Sequence, residues 1–369
     1  MTVRVVLLCK YPLDTPVGGV QTYSRQLGKR LAMMRDVEVH AVTLDEKPGT
    51  YSIDDVTVHA LPPHRFPWNI NRLMKAVELL EPDVIHVHGS MAPYAMAAAR
   101  LAKKHPVVLT VLGIVEREVA YKKGASYLIE RHINKPTETH ALKRIRNVIA
   151  ISPYVRDFIL EKSKASVRVI PIGVDETFYK ARKKNGSHIL YAGAITRRKG
   201  LLDLVKAYGL AMKKHPRIRL VVAGSVEQQD YYDEIRDYMG EHGLGSKITF
   251  NGHMTGKNLV KLYEDAIAFV LPSHEESQGI VLAEAQAVGT PVVVSDIGGV
   301  KSVVADGRTG LMFPPGDHVK LAQRLQELLD DPKLRARLAK GGRKNAERFR
   351  WEKIAEDTAE VYRQAIRVR

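Results

Sequence analysis

Short apolar runs alternate with longer stretches of helical period along almost the whole chain. Val3–Cys9, Val37–Val42, Val84–Val87, Val107–Leu112 and Val148–Ile151 are rich in Val and Ile and lack period-two alternation, as strands covered on both faces do. Between them lie Gln21–Met34, Asn71–Leu80, Met91–Lys104 and Tyr154–Lys162, which read as helices. The rhythm pauses after a strand at Val167–Ile170. Pro171-Ile172-Gly173-Val174-Asp175 and a polar, basic stretch, Lys180–Ser187, follow. It restarts with strands at His188–Ala192, Ile218–Ala223, Ile248–Phe250, Ala268–Leu271 and Pro291–Val294, and with helices beginning near Lys199, Tyr231, Lys257, Gly279 and Asp317. A charged helix, Pro332–Arg348, and a last helix, about Trp351–Ile366, close the chain. The pattern predicts an α/β protein of two doubly wound parallel-sheet domains, residues 1–172 and 173–350. Ligands of such sheets sit at the carboxyl ends of strands, so two domains face to face would hold one in a central cleft.

Composition narrows this reading. A length of 369 residues and 45% hydrophobic content suit two domains, each with its own core. The only cysteine is Cys9, so no intramolecular disulfide forms, and a cytoplasmic setting is expected. Val5–Cys9 is too short for the apolar region of a signal peptide, and no run reaches the ~18 apolar residues of a membrane-spanning helix. The net charge of +16 is shared evenly: residues 1–180 hold 26 Lys+Arg and 18 Asp+Glu. Such a balance favours anionic ligands and singles out neither half as a nucleic-acid module.

Three turns carry candidate chemistry. The first is Pro272-Ser273-His274-Glu275-Glu276-Ser277-Gln278-Gly279-Ile280-Val281-Leu282-Ala283-Glu284-Ala285, which follows an apolar strand and enters a helix near Gly279. Glu284 has Ile280, Val281, Ala287 and Val288 three and four residues away, which predicts a carboxylate on the buried face. A buried carboxylate needs hydroxyls or cations as partners. Backbone N–H groups of Gly279, Ile280 and Val281 would face an anion, with Glu276 beyond the helix tip and Glu284 about 7.5 Å behind it. Hydroxyls, anion, hydroxyls is the layout of a sugar–diphosphate–ribose ligand. The second turn, Gly193-Ala194-Ile195-Thr196-Arg197-Arg198-Lys199-Gly200, places three cations where a helix start disfavours them unless an anion is bound; a surface basic loop is the equal alternative. The third, Thr15-Pro16-Val17-Gly18-Gly19-Val20-Gln21, would let backbone approach a ligand closely, though tight turns use Gly-Gly as well. Neither a G-x-G-x-x-G fingerprint nor a Walker A loop is present. Asp-x-Asp, His-Glu-x-x-His and cysteine pairs are missing too, so no metal site is expected. His86 and His88 share one strand face; His86 reads as core, and His88 as within reach of the cleft.

These segments together resemble glycosyltransferase family 4, with its GT-B fold, over nearly the whole chain. The resemblance rests on Gly18-Gly19, Asp83–His88, Val169–Asp175, Arg198-Lys199-Gly200, and the E-x7-E spacing of Glu276 and Glu284. It also rests on Gly289-Thr290-Pro291-Val292-Val293, Gly298-Gly299, Asp306-Gly307, Gly310 and Pro315-Gly316-Asp317. It implies a retaining, metal-independent transfer of sugar from a nucleotide-diphosphate donor, with no cofactor. Glu276 and Lys199 would be the catalytic pair: Glu276 on the donor sugar, Lys199 on the diphosphate. Glu284 would bond the ribose. Backbone after Gln278 (Gly279, Ile280, Val281) would meet sugar and phosphate, Gly18 and Gly19 the phosphates from the other domain, and helix 351–369 would pack back on the first domain. Ala194 stands where the family usually has Arg, a contact Arg197 or Arg198 would replace. Leu112, in Thr110-Val111-Leu112-Gly113, stands where a sugar-binding His is frequent, and Gln278 where Phe is common.

Residues 117–146 add a partner expectation. They hold eight cations against Glu118, Glu130 and Glu138, with Tyr121, Tyr127, Leu128 and Ile129 interleaved. This composition fits peripheral contact with an anionic membrane on its inner face and a lipid-linked acceptor, or a solvated helical face over a core; a glycan or small molecule is the other acceptor class. The rival functions are a nucleotide-sugar epimerase of similar architecture and a non-catalytic sugar-nucleotide or nucleic-acid binder. The Lys199, Glu276 and Glu284 set weighs against the binder, and nucleic acid is the least expected partner.

Overall fold

The computed structural model of the chain describes residues 2–14, 18–64, 67–184 and 186–368. Thr15, Pro16 and Val17 of the expected glycine turn, Asn185 of the polar stretch and Arg369 lie outside the described residues. The chain divides into two compact units, Met1–Gly173 with Trp351–Arg369, and Val174–Arg350.

The first unit is built on β1 (Val3–Leu8), β2 (Val37–Leu44), β3 (Gly49–Ile53), β4 (Val56–Leu61), β5 (Val84–His88), β6 (Val107–Val111), β7 (Asn147–Ala150) and β8 (Ser166–Val169). Among the described residues these form one sheet in the order β3-β4-β2-β1-β5-β6-β7-β8. All neighbours are parallel except β3 and β4. Its helices are α1 (Gly19–Ala32), α2 (Trp68–Glu78), α3 (Tyr94–Leu101), α4 (Val115–Glu118), α5 (Gly124–Ile129), α6 (Lys135–Arg144) and α7 (Pro153–Lys162). The β3–β4 hairpin is a departure from the uniformly parallel expectation. Its edge strand is almost wholly exposed and has no apolar run, so hydrophobic patterning does not mark it. The turn has Asp54 at φ 50° and Asp55 at φ 62°, the left-handed pair of a type I′ hairpin, and Arg25 ties Asp54 to α1 at 2.8 Å.

The second unit holds β9 (His188–Ala192), β10 (Arg219–Ala223), β11 (Ile248–Phe250), β12 (Ala266–Leu271), β13 (Val292–Ser295) and β14 (Leu311–Phe313), with α8 (Glu176–Lys180), α9 (Leu201–Ala211), α10 (Gln229–Glu241), α11 (Gly256–Glu264), α12 (Ile280–Val288), α13 (His318–Asp330) and α14 (Pro332–Ala346). The all-parallel order β11-β10-β9-β12-β13-β14 is the dinucleotide-fold order 3-2-1-4-5-6. The central strands of each sheet are covered on both faces by apolar clusters, which is why they read as short apolar runs without alternation.

The chain then returns to the first unit as α15 (Trp351–Arg367). Trp351, 2% exposed, packs with Leu7, Tyr23, Ile354 and Tyr362 in that unit's core. Gly173 lies under the indole: a Cβ there would stand 2.4 Å from Trp351 Cδ2, so no larger residue fits without moving the ring.

Candidate active site

In a 3-2-1-4-5-6 sheet the strand order reverses between the first and fourth strands, and loops leaving them part to form a crevice. In the second unit those strands are β9 and β12. The loops that leave them are Gly193–Gly200 and Pro272–Gly279, the two segments singled out on charge and spacing. Several ties hold them together. His274 N–H donates to Arg198 O at 2.8 Å. Arg198 Nη1 donates to Glu275 O at 3.1 Å. His274 Nε2 lies 2.9 Å from Asp203 Oδ2 in the first turn of α9. The approach is close because Gly200 has φ 66° and no side chain; a Cβ there would come within 2.0 Å of Pro272 O.

At the centre, Lys199 Nζ meets Glu276 Oε2 at 2.5 Å, with only 14% and 12% of their side chains exposed. Burial alone would raise the Glu276 carboxyl. The Lys199 and Arg198 charges, with hydrogen bonds from Lys199 and from the Gly279 N–H, override it and hold the group below the usual carboxylate range. Gly279 itself is left-handed, at φ 80°, and no side chain caps α12. The N–H groups of Ile280 and Val281 therefore begin the helix without intrahelical acceptors. Asp317 caps α13 by accepting Lys320 N–H at 2.8 Å, so the neighbouring helix start lacks this openness.

Glu284 is placed differently from expectation. The buried side of α12 is Leu282, Ala283 and Ala285–Val288; Glu284 shares the half-buried stripe with Ile280 and Val281. The helix is apolar nearly all round, so apolar neighbours did not identify its core side. Its Oε2 accepts from Tyr263 Oη of α11 at 3.2 Å. Burial pushes its pKa up to about 7, a rise that the Tyr263 hydrogen bond opposes and the Asp175 charge aids. Tyr263 was invisible in the sequence, since a lone aromatic on another helix gives no signal. Asp203 and His274 were missed likewise.

Arg197, expected at the anion, turns away from Lys199. Its guanidinium reaches Glu234 at 2.7 Å and Asp230 at 3.4 Å and stacks over Tyr231, 5.0 Å from the ring centre. Opposite charges on α10 that spacing could not reveal draw it there. Ala194 contributes its carbonyl, which accepts from Tyr191 Oη at 2.9 Å.

In the first unit, Gly18 (φ 93°) and Gly19 open α1 with nothing within 4 Å of where a Cβ would point. His88 is not a surface group: it is 4% exposed, and its Nδ1 pairs with Ser24 Oγ at 2.8 Å. His86 bridges Tyr362 Oη and Thr110 Oγ1, each at 2.7 Å. Burial drives His88 down to about 3; His86 is lowered well below its ordinary value by burial and by its neighbour His88. Glu138, one of the three acids of residues 117–146, is buried and accepts from Ser90 Oγ at 2.8 Å and Val115 N–H at 3.2 Å. Within 117–146 this leaves Glu118 and Glu130 as the acids outside the core, and Lys135 also lies 4.0 Å from Glu116. Among the described residues, no group of three or more His, Cys, Asp or Glu is arranged to hold a metal ion, and no helix is long and apolar enough to cross a membrane.

Two Rossmann-like domains, one carrying cations and an open helix start at its switch point, define a GT-B-type nucleotide-binding protein of the transferase class. The family described as Glycosyltransferase Family 4 matches residues 17–178, and that described as Glycosyl transferases group 1 matches residues 175–345. Glycogen synthase of Mycobacterium tuberculosis is 32% identical over 295 residues, covering 78% of this chain and 70% of that protein. D-inositol 3-phosphate glycosyltransferase of Paenarthrobacter aurescens is 27% identical, covering 96% of each. Sucrose-phosphate synthase from Thermosynechococcus elongatus superimposes with a TM-score of 0.82 at 25% identity, covering 100% of both chains. The chain belongs to glycosyltransferase family 4, and it is a glycosyltransferase of the nucleotide-sugar-dependent class.

Proposed function

We propose that this enzyme transfers a sugar from a nucleotide-diphosphate donor with retention of anomeric configuration, without metal or cofactor. The observation that carries the reading is the convergence of Lys199, Glu276 and the open start of α12 at one switch point, with Glu284 one turn and a half behind. Lys199 and the Ile280 and Val281 N–H groups meet the charge that develops on the departing diphosphate. Glu276 takes donor-sugar hydroxyls and Glu284 the ribose. The acceptor attacks the face the diphosphate leaves, and the donor phosphate takes its proton. The experiment is turnover with a panel of nucleotide sugars, with product anomers assigned by NMR, in excess EDTA. Retained anomers in chelator are expected. Inverted product, or activity abolished by EDTA and restored by Mg²⁺ or Mn²⁺, would overturn the mechanism; an epimerised nucleotide sugar, with no sugar passed to an acceptor, would point to the epimerase.

For the acceptor, the reading favours a lipid-linked molecule presented at the inner face of an anionic membrane, in a cytoplasmic setting. What supports it is the α5–α6 segment. Leu128 and Ile129 are 55% and 50% exposed, and the adjoining groove is lined by Arg131, His132, Lys135, Pro136, Thr139, His140 and Lys143, with no acid among them. Co-sedimentation with anionic and neutral vesicles tests it. Anionic-selective, salt-weakened pelleting that is lost on reversing Lys122, Lys123, Lys143 and Arg144 to Glu is expected. Absence of pelleting at low salt would leave a soluble glycan or small molecule as acceptor.

A further inference from the structure

The Lys199–Glu276 contact carries a consequence for selectivity, one that rests on the donor-site reading above. Glu276 Oε2 is held by a buried ammonium, and the same carboxylate receives the Gly279 N–H at the start of α12. A cation and a helix-start amide are the partners a phosphate oxygen seeks. The carboxylate thus sits among the donors that would otherwise receive an incoming phosphate.

We propose that Glu276 is a built-in competitor for the phosphate subsite, displaced only by ligands that offer it hydroxyl donors in exchange. The loop backbone cannot make room by shifting. Glu276 O accepts from Gly299 N–H at 3.0 Å, and a Cβ on Gly299 would stand 2.1 Å from the Ser277 carbonyl carbon, so the two loops are in close backbone contact. Arg198 and His274 fix the preceding residues from the other side, through Glu275 O and the 2.8 Å His274 N–H bond to Arg198 O. Only the Glu276 side chain is left to swing. A nucleotide sugar repays that movement, because its sugar hydroxyls donate to the displaced carboxylate. A nucleoside diphosphate or pyrophosphate takes Lys199 and leaves a buried carboxylate short of partners, which is strongly unfavourable. The site therefore discriminates against its own spent product, although that product keeps the whole nucleotide.

The test is calorimetric binding of pyrophosphate, of UDP, GDP and ADP, and of their glucose conjugates, to the full-length parent, Glu276→Gln, Glu276→Ala and Glu276→Gln with Lys199→Ala. Each protein is first checked for a cooperative melt. In both single variants pyrophosphate and the preferred diphosphate should bind about tenfold or more tighter, the scale of a hydrogen bond to a charged group. The nucleotide sugar should bind no tighter, and the double variant should lose the gain. Diphosphate affinity unchanged or weakened in both single variants, while the parent still binds its nucleotide sugar, would overturn the competitor role alone. Failure of every protein, parent included, to bind any diphosphate or nucleotide sugar would overturn the donor-site reading together with it.

Discussion

The two units share a Rossmann-like topology, and each has a switch point, yet the residues at those points obey opposite electrostatic rules. In the second unit the β9 and β12 loops and the start of α9 gather Arg198, Lys199, Glu276, His274 and Asp203 at the rim of a sheet, where Lys199 meets Glu276, His274 meets Asp203 and Arg198 reaches the Glu275 carbonyl. In the first unit the corresponding strands are β1 and β5, and the polar residues at the carboxyl end of β5 are neutral and sealed. His86 and His88 are deprotonated by burial and satisfied by Thr110, Ser24 and Tyr362. One switch point sets charged side chains beside the uncapped start of α12. The other uses its polar groups to tie α1 and α15 to the sheet, and Gly18 and Gly19 leave the start of α1 free of side chains. Topology decides where a site can be; which dielectric regime the side chains occupy decides whether it does chemistry.

The largest expected effect lies at the charged switch point. Lys199→Ala should lower kcat with the nucleotide sugar by about 10²–10³-fold, the scale for removing one group aimed at developing charge. Free nucleoside should bind it as it binds the parent. Equal losses for nucleoside and nucleoside diphosphate would break the contrast, because they would make Lys199 a structural group like the histidines.

The sealed side should reveal itself through acid. The unfolded chain's histidines take up protons below about pH 6.5, while His88, lowered to about 3, and His86, lower than usual, stay neutral in the fold. Stability from these groups is thus fully present above pH 6.5 and lost as pH falls, at about 1.4 kcal/mol per pH unit per group. Glu284 has the opposite sign: its folded pKa of about 7 exceeds the ordinary glutamate value of 4.5, so its contribution is present at low pH and declines between them. Hydrogen exchange at pH 7 and 5 should show peptides of β5 and α15 losing protection before those of β12 and α12. Loss in the reverse order would contradict the assignment.

Much of this was legible in the sequence, for identifiable reasons. Short apolar runs such as Ile189–Ala192 fall where strands like β9 lie, because strands buried on both faces need apolar residues on each. The loop Pro272–Gly279 stood out because its acids interrupt such a run. The β3–β4 hairpin did not, since its order comes from a left-handed Asp54-Asp55 turn and backbone pairing. Long-range partners were illegible too. Nothing in the spacing shows that Tyr263 meets Glu284, that Glu138 caps Val115, or that Lys199 and Glu276, 77 residues apart, touch.

Glu284→Gln gives the next smaller effect. It should weaken donor binding by roughly 1–3 kcal/mol, the cost of replacing an ionised acceptor by a neutral one. The signature is in pH. The ionised carboxylate is the form that accepts ribose hydroxyls, and its pKa is about 7, so parent affinity should rise as pH rises through 7. The Gln variant should lack that rise. A parent profile flat from pH 6 to 8, or a variant that keeps the slope, would detach Glu284 from the ribose.

The smallest effect is expected at Arg197, and it tests how sharply the charged switch point is bounded. Arg197 is two residues from Lys199 and carries the same charge, so on sequence it was an equal candidate for the donor diphosphate. Its guanidinium instead engages Glu234 and Asp230 over the ring of Tyr231, with 37% of the side chain exposed. Exposed pairs of this kind contribute about 0–1 kcal/mol. Arg197→Ala should therefore change donor affinity by less than about threefold, with a correspondingly small fall in melting temperature. Its residual effect should weaken further in salt, since what remains is the long-range field of one exposed cation. A loss as large as that of Lys199→Ala would mean that Arg197 leaves its acidic partners on α10 when donor binds. It would then be taking over the contact that Ala194 cannot make, and the charged site would extend from Lys199 along the whole turn to α10.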